Sequence, residues 1–137
     1  MPCIERRHTA LAVLLCLSGC GSSAVDRGAT RAWEAYTVRA AQRIVEANPE
    51  RTYLGEVPEP LLAIPVLEVE LNGDGSVRRI RVLRYPSQAE DTTQLAIDAV
   101  RRAAPFANVS RLPKPWKFTE VFLFDDNRRF KPRSLDN

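Results

Sequence analysis

Histidine, methionine and cysteine are nearly missing from this chain of 137 residues. His8, Met1 and the cysteines Cys3, Cys16 and Cys20 all stand in the first twenty positions. Residues 21–137 hold none of the three types. Without histidine, that stretch lacks the usual general base near neutral pH and the commonest metal ligand. A Ser-His-Asp or Cys-His nucleophile cannot be assembled from it. A zinc site of nitrogen and sulfur ligands is excluded on the same ground, and so is a disulfide within the stretch. Carboxylate-only chemistry, of the kind glycosidases use, survives on composition because Asp and Glu are plentiful. None of them stands in a recognisable catalytic spacing. The sequence therefore predicts no catalytic residue, no metal site, no cofactor and no small-molecule substrate. Long apolar runs are missing too: Ala10–Leu17 is too short to cross a bilayer as a helix.

That short run is the middle of an export signal. Arg6 and Arg7 supply a positive start and Ala10–Leu17 the apolar core. Leu17-Ser18-Gly19-Cys20 then resembles a lipobox, the cut-and-acylate signal of bacterial lipoproteins. The resemblance implies removal of residues 1–19, a diacylglycerol thioether on Cys20 and an acyl chain on its new amine. Each buried methylene contributes about 0.8 kcal/mol, and two or more chains hold where one does not. The competing reading is an ordinary secretory signal with a chance cysteine at its end. Gly21 in second place resembles the pattern of lipoproteins sorted to the outer membrane. The expected location is thus the bacterial envelope, lipid-anchored at the outer membrane and facing the periplasm. A formal net charge of +3 favours anionic surfaces only weakly. Nucleic acid, the usual partner of a basic chain, is not expected after export.

Residues 20–29 are rich in small residues and read as a flexible tether. One small domain is expected over residues 30–125. Thr30 is placed to cap a helix reaching about Ala47, with Trp33, Tyr36, Ala40, Ile44 and Ala47 as its apolar stripe. Asn48-Pro49 ends it. Pro58, Pro60 and Pro65 mark an extended connector, pinned to the body by Leu61, Leu62 and Ile64. Pro65–Arg84 reads as a β-hairpin: Leu67, Val69 and Leu71 alternate with Glu68 and Glu70, and Asn72-Gly73-Asp74-Gly75 supplies the turn. In a suitable register Glu68 and Glu70 face Arg79 and Arg81. The cluster Arg78, Arg79, Arg81 and Arg84 is either a solvated sheet face or a site for phosphate or a lipid headgroup. Asp91-Thr92-Thr93-Gln94 has the form of a capping box for a helix from about Thr92 to Ala104. Leu95, Ala96, Ala99, Val100 and Ala103 form its buried stripe. Trp116–Asp125 predicts a strand with Trp116, Phe118, Phe122 and Phe124 on one face. Residues 126–137 read as a loose charged tail.

This order of elements is similar to that of TonB/TolA C-terminal domains. Asn72-Gly73-Asp74-Gly75-Ser76-Val77 resembles the family's hairpin turn. Leu95–Phe106 resembles its helix and exit, and Leu112-Pro113 with the aromatic strand continues the pattern. The resemblance implies an α+β fold, α-β-β-α-β, with a three-stranded antiparallel sheet, helices packed against it and the last strand at an edge. It also implies a partner. An extended segment of another envelope protein would add to that edge by β-augmentation. The partner-binding residues expected on this ground are Trp116, Lys117, Phe118, Thr119, Glu120, Val121 and Phe122, with Lys117 and Glu120 as outward charges guarding the edge. Energy transduction is not expected, because the family's inner-membrane helix and long spacer are not seen, and Tyr85-Pro86-Ser87 replaces its serine-glycine bend.

Three readings follow in order. The first is a membrane-tethered protein-binding module. The second is a structural accessory lipoprotein of an envelope secretion or assembly complex, and the third a carboxylate enzyme acting on cell-wall glycans. The lipobox makes Cys20 the anchor. Cys20→Ser should abolish acylation and leave uncleaved precursor or soluble protein. Unchanged membrane fractionation, with no lipid mass on the processed chain, would remove the lipobox reading.

Overall fold

A computed structural model describes residues 20–136, with side chains from residue 26; the expected signal peptide, residues 1–19, lies outside the described residues. The elements run α1 (Cys20–Ala47), β1 (Val66–Leu71), β2 (Val77–Arg84), α2 (Asp91–Ala103), β3 (Lys117–Phe124), β4 (Phe130–Pro132) and a 3-10 turn, Arg133–Leu135. The class is α+β, as expected. The antiparallel sheet, however, has four strands rather than three, in the order β2-β1-β3-β4. Among the described residues no helix is long and apolar enough to cross a membrane.

The hairpin forms as its alternation demands. Glu68 stands opposite Arg81 and Glu70 opposite Arg79, while Leu67 and Val69 face Val82 and Ile80. Leu67, Val69 and Leu71 are buried beneath the helices. The other face of the sheet carries the charges: Arg79 reaches Glu70 at 3.2 Å, and Arg81 and Lys117 reach Glu68 at 3.8 and 3.6 Å. Two register shifts, near Val66 and near Leu71, bend the ends of the pair.

The turn of this hairpin is a structural joint. Gly75 has φ +90°, which favours glycine. A Cβ there would lie 2.1 Å from the Phe106 carbonyl oxygen. The loop leaving α2 thus passes directly over the turn. Phe106 N–H donates to Gly75 C=O and Val109 N–H to Gly73 C=O, each at 2.9 Å. Tyr36 of α1 donates its hydroxyl to Ala107 C=O in the same loop at 2.6 Å. Burial pushes that phenol up to about 12, with Arg39 opposing.

Both helices cover one face of the sheet. From α1, Tyr36, Ala40 and Ile44 are buried; from α2, Ala96, Ala99, Val100 and Ala103. Alanines let the helices lie close together and on the sheet. A polar knot joins them where α1 ends. Buried Asn48 donates to Ile44 C=O and Ala99 C=O, and its own oxygen accepts from Arg102. Arg43 Nε donates to Ala103 C=O and Pro105 C=O, covering the C-terminal carbonyls of α2.

Four expectations are corrected. Helix α1 starts at Cys20, so residues 20–29 are helical where a flexible tether was expected. No proline interrupts this stretch, and a helix anchored by packing at one end extends at one hydrogen bond per residue. Thr30 is then interior, not a cap, and its hydroxyl donates back to Asp26 C=O at 2.9 Å. The capping box does not form: Asp91 pairs with Arg128 at 2.6 Å and Gln94 donates to Asp98. The charged tail is ordered. Asp125 Oδ1 accepts from Asn127 N–H and Arg129 N–H, making a turn that returns the chain as β4. Phe130 then enters the core, its ring 5.1 Å from Phe122 and 5.4 Å from Phe124.

Gly75→Ala should lower the melting temperature sharply, with a cost of about 3 kcal/mol or more from backbone strain and the carbonyl clash. Gly28→Ala is the matched control. Its Cβ would meet nothing within 4 Å, so thermal melting should show no loss and the helix should gain about 1 kcal/mol.

Candidate functional site

The direction of each backbone group along β3 follows from three hydrogen bonds. Trp116 C=O accepts from Leu71 N–H, and Phe122 N–H and Phe124 N–H donate to Pro65 C=O and Ala63 C=O. Even-numbered residues therefore turn their backbone polar groups toward β1. Odd-numbered residues turn theirs the other way. On that side β4 pairs only with Phe122–Phe124. Lys117 and Thr119 pair with no strand on that side among the described residues.

The last strand of the sequence reading is thus not an edge along its whole length. β4 covers its second half, an outcome the charged tail concealed. Beyond β4, the sheet is closed again: Phe130 N–H donates to Arg51 C=O and Tyr53 N–H to Phe130 C=O. Among the described residues, only the first half of β3 stays open.

Beside this half-edge lies a groove of about 690 Å³. Helix α1 supplies one wall, with Trp33, Glu34, Thr37 and Val38. Lys117, Phe118 and Thr119 supply the other, and Pro113, Lys114, Pro115 and Ser134 close its ends. Trp33 Nε1 donates to Pro113 C=O at 3.0 Å, which fixes the proline loop to the helix. Lys114 Nζ sits 4.5 Å above the Trp116 ring. Val38 is a large apolar side chain left exposed at the groove.

The seven expected binding residues are divided among several roles. Phe118 and Phe122 are core, packed on Tyr36 and Phe130 respectively. Trp116 is half-buried against Gly73 and donates to Leu112 C=O. Lys117 and Thr119 are exposed, and Val121 is half-buried. Glu120 is corrected most: it is 1 % exposed and guards no edge. Its even number places it on the face of Phe118 and Phe122, so the alternation already indicated an inward side chain. The groove wall from α1 was not expected as a site, although its Trp33 belongs to the apolar stripe.

Glu120 binds the C-terminal turn. Ser134 donates its backbone N–H at 3.0 Å and its hydroxyl to this carboxylate. The N–H groups of Val121 and Arg133 also favour the charged form. Burial outweighs these donors and raises the Glu120 carboxyl above its ordinary value. A carboxyl raised on folding holds its proton more tightly in the folded state. Its contribution to stability is therefore greatest below the unfolded value, near 4.3, and falls as pH rises through the raised one. The exposed carboxylates Glu70, Asp74 and Asp91 are lowered, chiefly by hydrogen bonds from Arg79, Ser76 and Arg128, and oppose this trend. Glu120→Gln isolates the effect. The stability difference between parent and variant, measured by urea unfolding, should move toward the variant as pH rises from 4 to 7. A constant difference would show that Glu120 does not titrate differently on folding.

As for known proteins, the chain matches no family model, no curated protein and no solved structure, so the TonB/TolA resemblance rests on the order of its motifs.

Proposed function

We propose that this chain is a membrane-tethered, periplasm-facing protein-binding module that takes an extended segment of an envelope protein into the α1–β3 groove. The observation that carries the reading is the coincidence of the unpaired half of β3 with that groove. Backbone groups of Lys117 and Thr119 would hydrogen-bond the incoming strand. Trp33 and Val38 offer it apolar contact on the helix wall of the groove, which adds selectivity. Cys20 would carry the lipid anchor at the start of α1. A structural accessory role in a larger envelope complex is the second reading. It draws on the same exposed surfaces and differs in stoichiometry.

Thr119→Pro tests the reading with little risk to the fold. The Thr119 side chain is exposed, and its N–H faces away from β1, so proline removes no bond of the β1–β3 ladder. The variant should melt close to the parent and lose most partner capture. A photo-crosslinker at residue 119 of the parent should trap one envelope protein. Full capture by a folded Thr119→Pro chain would remove β3 from the binding site.

A further inference from the structure

We infer that the outer edge of β2 is a docking surface for an extended, acidic segment of a partner protein, which adds as a further strand and seats one neutral hydrogen-bonding side chain near Thr93. Three independent observations converge on this edge. The first is backbone geometry. Leu71 turns its N–H toward β3, so Glu68 and Glu70 turn theirs toward β2 and meet Arg81 and Arg79. Ile80 and Val82 consequently point their N–H and C=O groups outward. No strand among the described residues pairs with that side. The opposite end of the sheet is already closed by Arg51 and Tyr53 on Phe130.

Charge is the second. β2 carries Arg78, Arg79, Arg81 and Arg84, all exposed. Arg79 and Arg81 are engaged by Glu70 and Glu68. Arg78 and Arg84 have no carboxylate within ion-pair distance among the described residues. A second copy of this chain is a poor occupant, since antiparallel pairing of two β2 edges would set arginines against arginines. An acidic strand meets the same row favourably.

The third is a cavity of about 490 Å³ between β2 and α2, walled by Val82, Tyr85, Pro86 and Ile97 and reaching Thr93. Thr93 is only 7 % exposed, and its hydroxyl has no hydrogen-bond partner among the described residues. A helical threonine ordinarily donates to the carbonyl four residues back. Here that carbonyl, of Ala89, already accepts from the Thr92 hydroxyl at 2.7 Å. Thr93 is left with an unspent hydroxyl donor in the wall of the cavity. Glu90 at the rim disfavours a carboxylate inside, so the seated side chain is neutral and the acidic ones lie along the arginines. An anionic lipid surface would satisfy the arginines, but it gives no role to the outward backbone groups or the cavity.

The test uses the full chain in detergent and a fluorescent eight-residue peptide alternating Glu with Val around one central Gln. Anisotropy at low salt should show binding of this peptide and none of its Lys counterpart. Amide hydrogen exchange at Ile80 and Val82 should slow on binding. Arg78→Glu with Arg84→Glu should weaken binding about tenfold, and Thr93→Val about fivefold. Thr119→Pro should leave it unchanged, which separates this edge from the β3 groove. Equal binding of the Lys peptide, or binding without protection at Ile80 and Val82, would overturn the inference. So would capture of phosphatidylglycerol vesicles through the same arginines by a chain that ignores the peptide.

Discussion

The contact between Gly75 and the Phe106 carbonyl is the constraint on which the arrangement turns. It is backbone against backbone, and no side chain at position 75 would fit. Once the hairpin turn sits under the loop leaving α2, the chain between α2 and β3 has its course fixed at one end. Tyr36 reaches the same loop from α1. Phe106 packs edge-on against Phe118 with ring centres 5.3 Å apart. Three elements distant in sequence are thereby registered at one corner of the molecule. Leu71 N–H to Trp116 C=O then starts the β1–β3 ladder from that corner. The parity of every later residue in β3 follows from it, including which backbone groups stay open.

Parity explains why the sequence was informative for some elements and not for others. The hairpin was legible because one face must be apolar and the other need not be. Glu68 and Glu70 against Arg81 and Arg79 needed only the register that the turn imposes. The stripe of α2 was legible for the same kind of reason, and Val100 is fully buried as its period demands. The capping box was misleading. A carboxylate at position 91 has a better offer from Arg128 than from its own backbone, and that partner lies 37 residues away. Long-range competition of this sort leaves no local trace.

The C-terminal strand was hidden differently. Asp125-Asp126-Asn127 is turn chemistry, but it stands in a charged context that also suits a loose tail. A single aromatic, Phe130, distinguishes the two cases. Its burial between Phe122 and Phe124 depends on the far side of the core being unfilled, which no window of sequence reveals. Glu120 belongs to the same problem. A buried glutamate costs free energy unless donors surround it, and the donors come from Ser134 and its neighbours. The C-terminal turn and the inward glutamate thus require each other. Neither is predictable alone, and together they shorten the open edge of β3 to Lys117 and Thr119.

Closing one edge concentrates attention on what remains open. A sheet edge left bare invites association with any exposed strand, and charge is a common way to limit this. Among the described residues β2 is bare along its outer side, and it carries four arginines. That row resists self-pairing and, by the same electrostatics, selects acidic strands. The groove by α1 is different: its apolar wall lies on a helix that continues back to Cys20, 28 residues in all and about 42 Å long. On the proposed anchoring at Cys20, a continuous helix would limit how far the domain can swing relative to the membrane, where a flexible leader would not. The α1 groove would then be presented at a restricted height and angle. Partners would be chosen by reach as well as by contact, because a segment that cannot extend to that height gains nothing from complementarity.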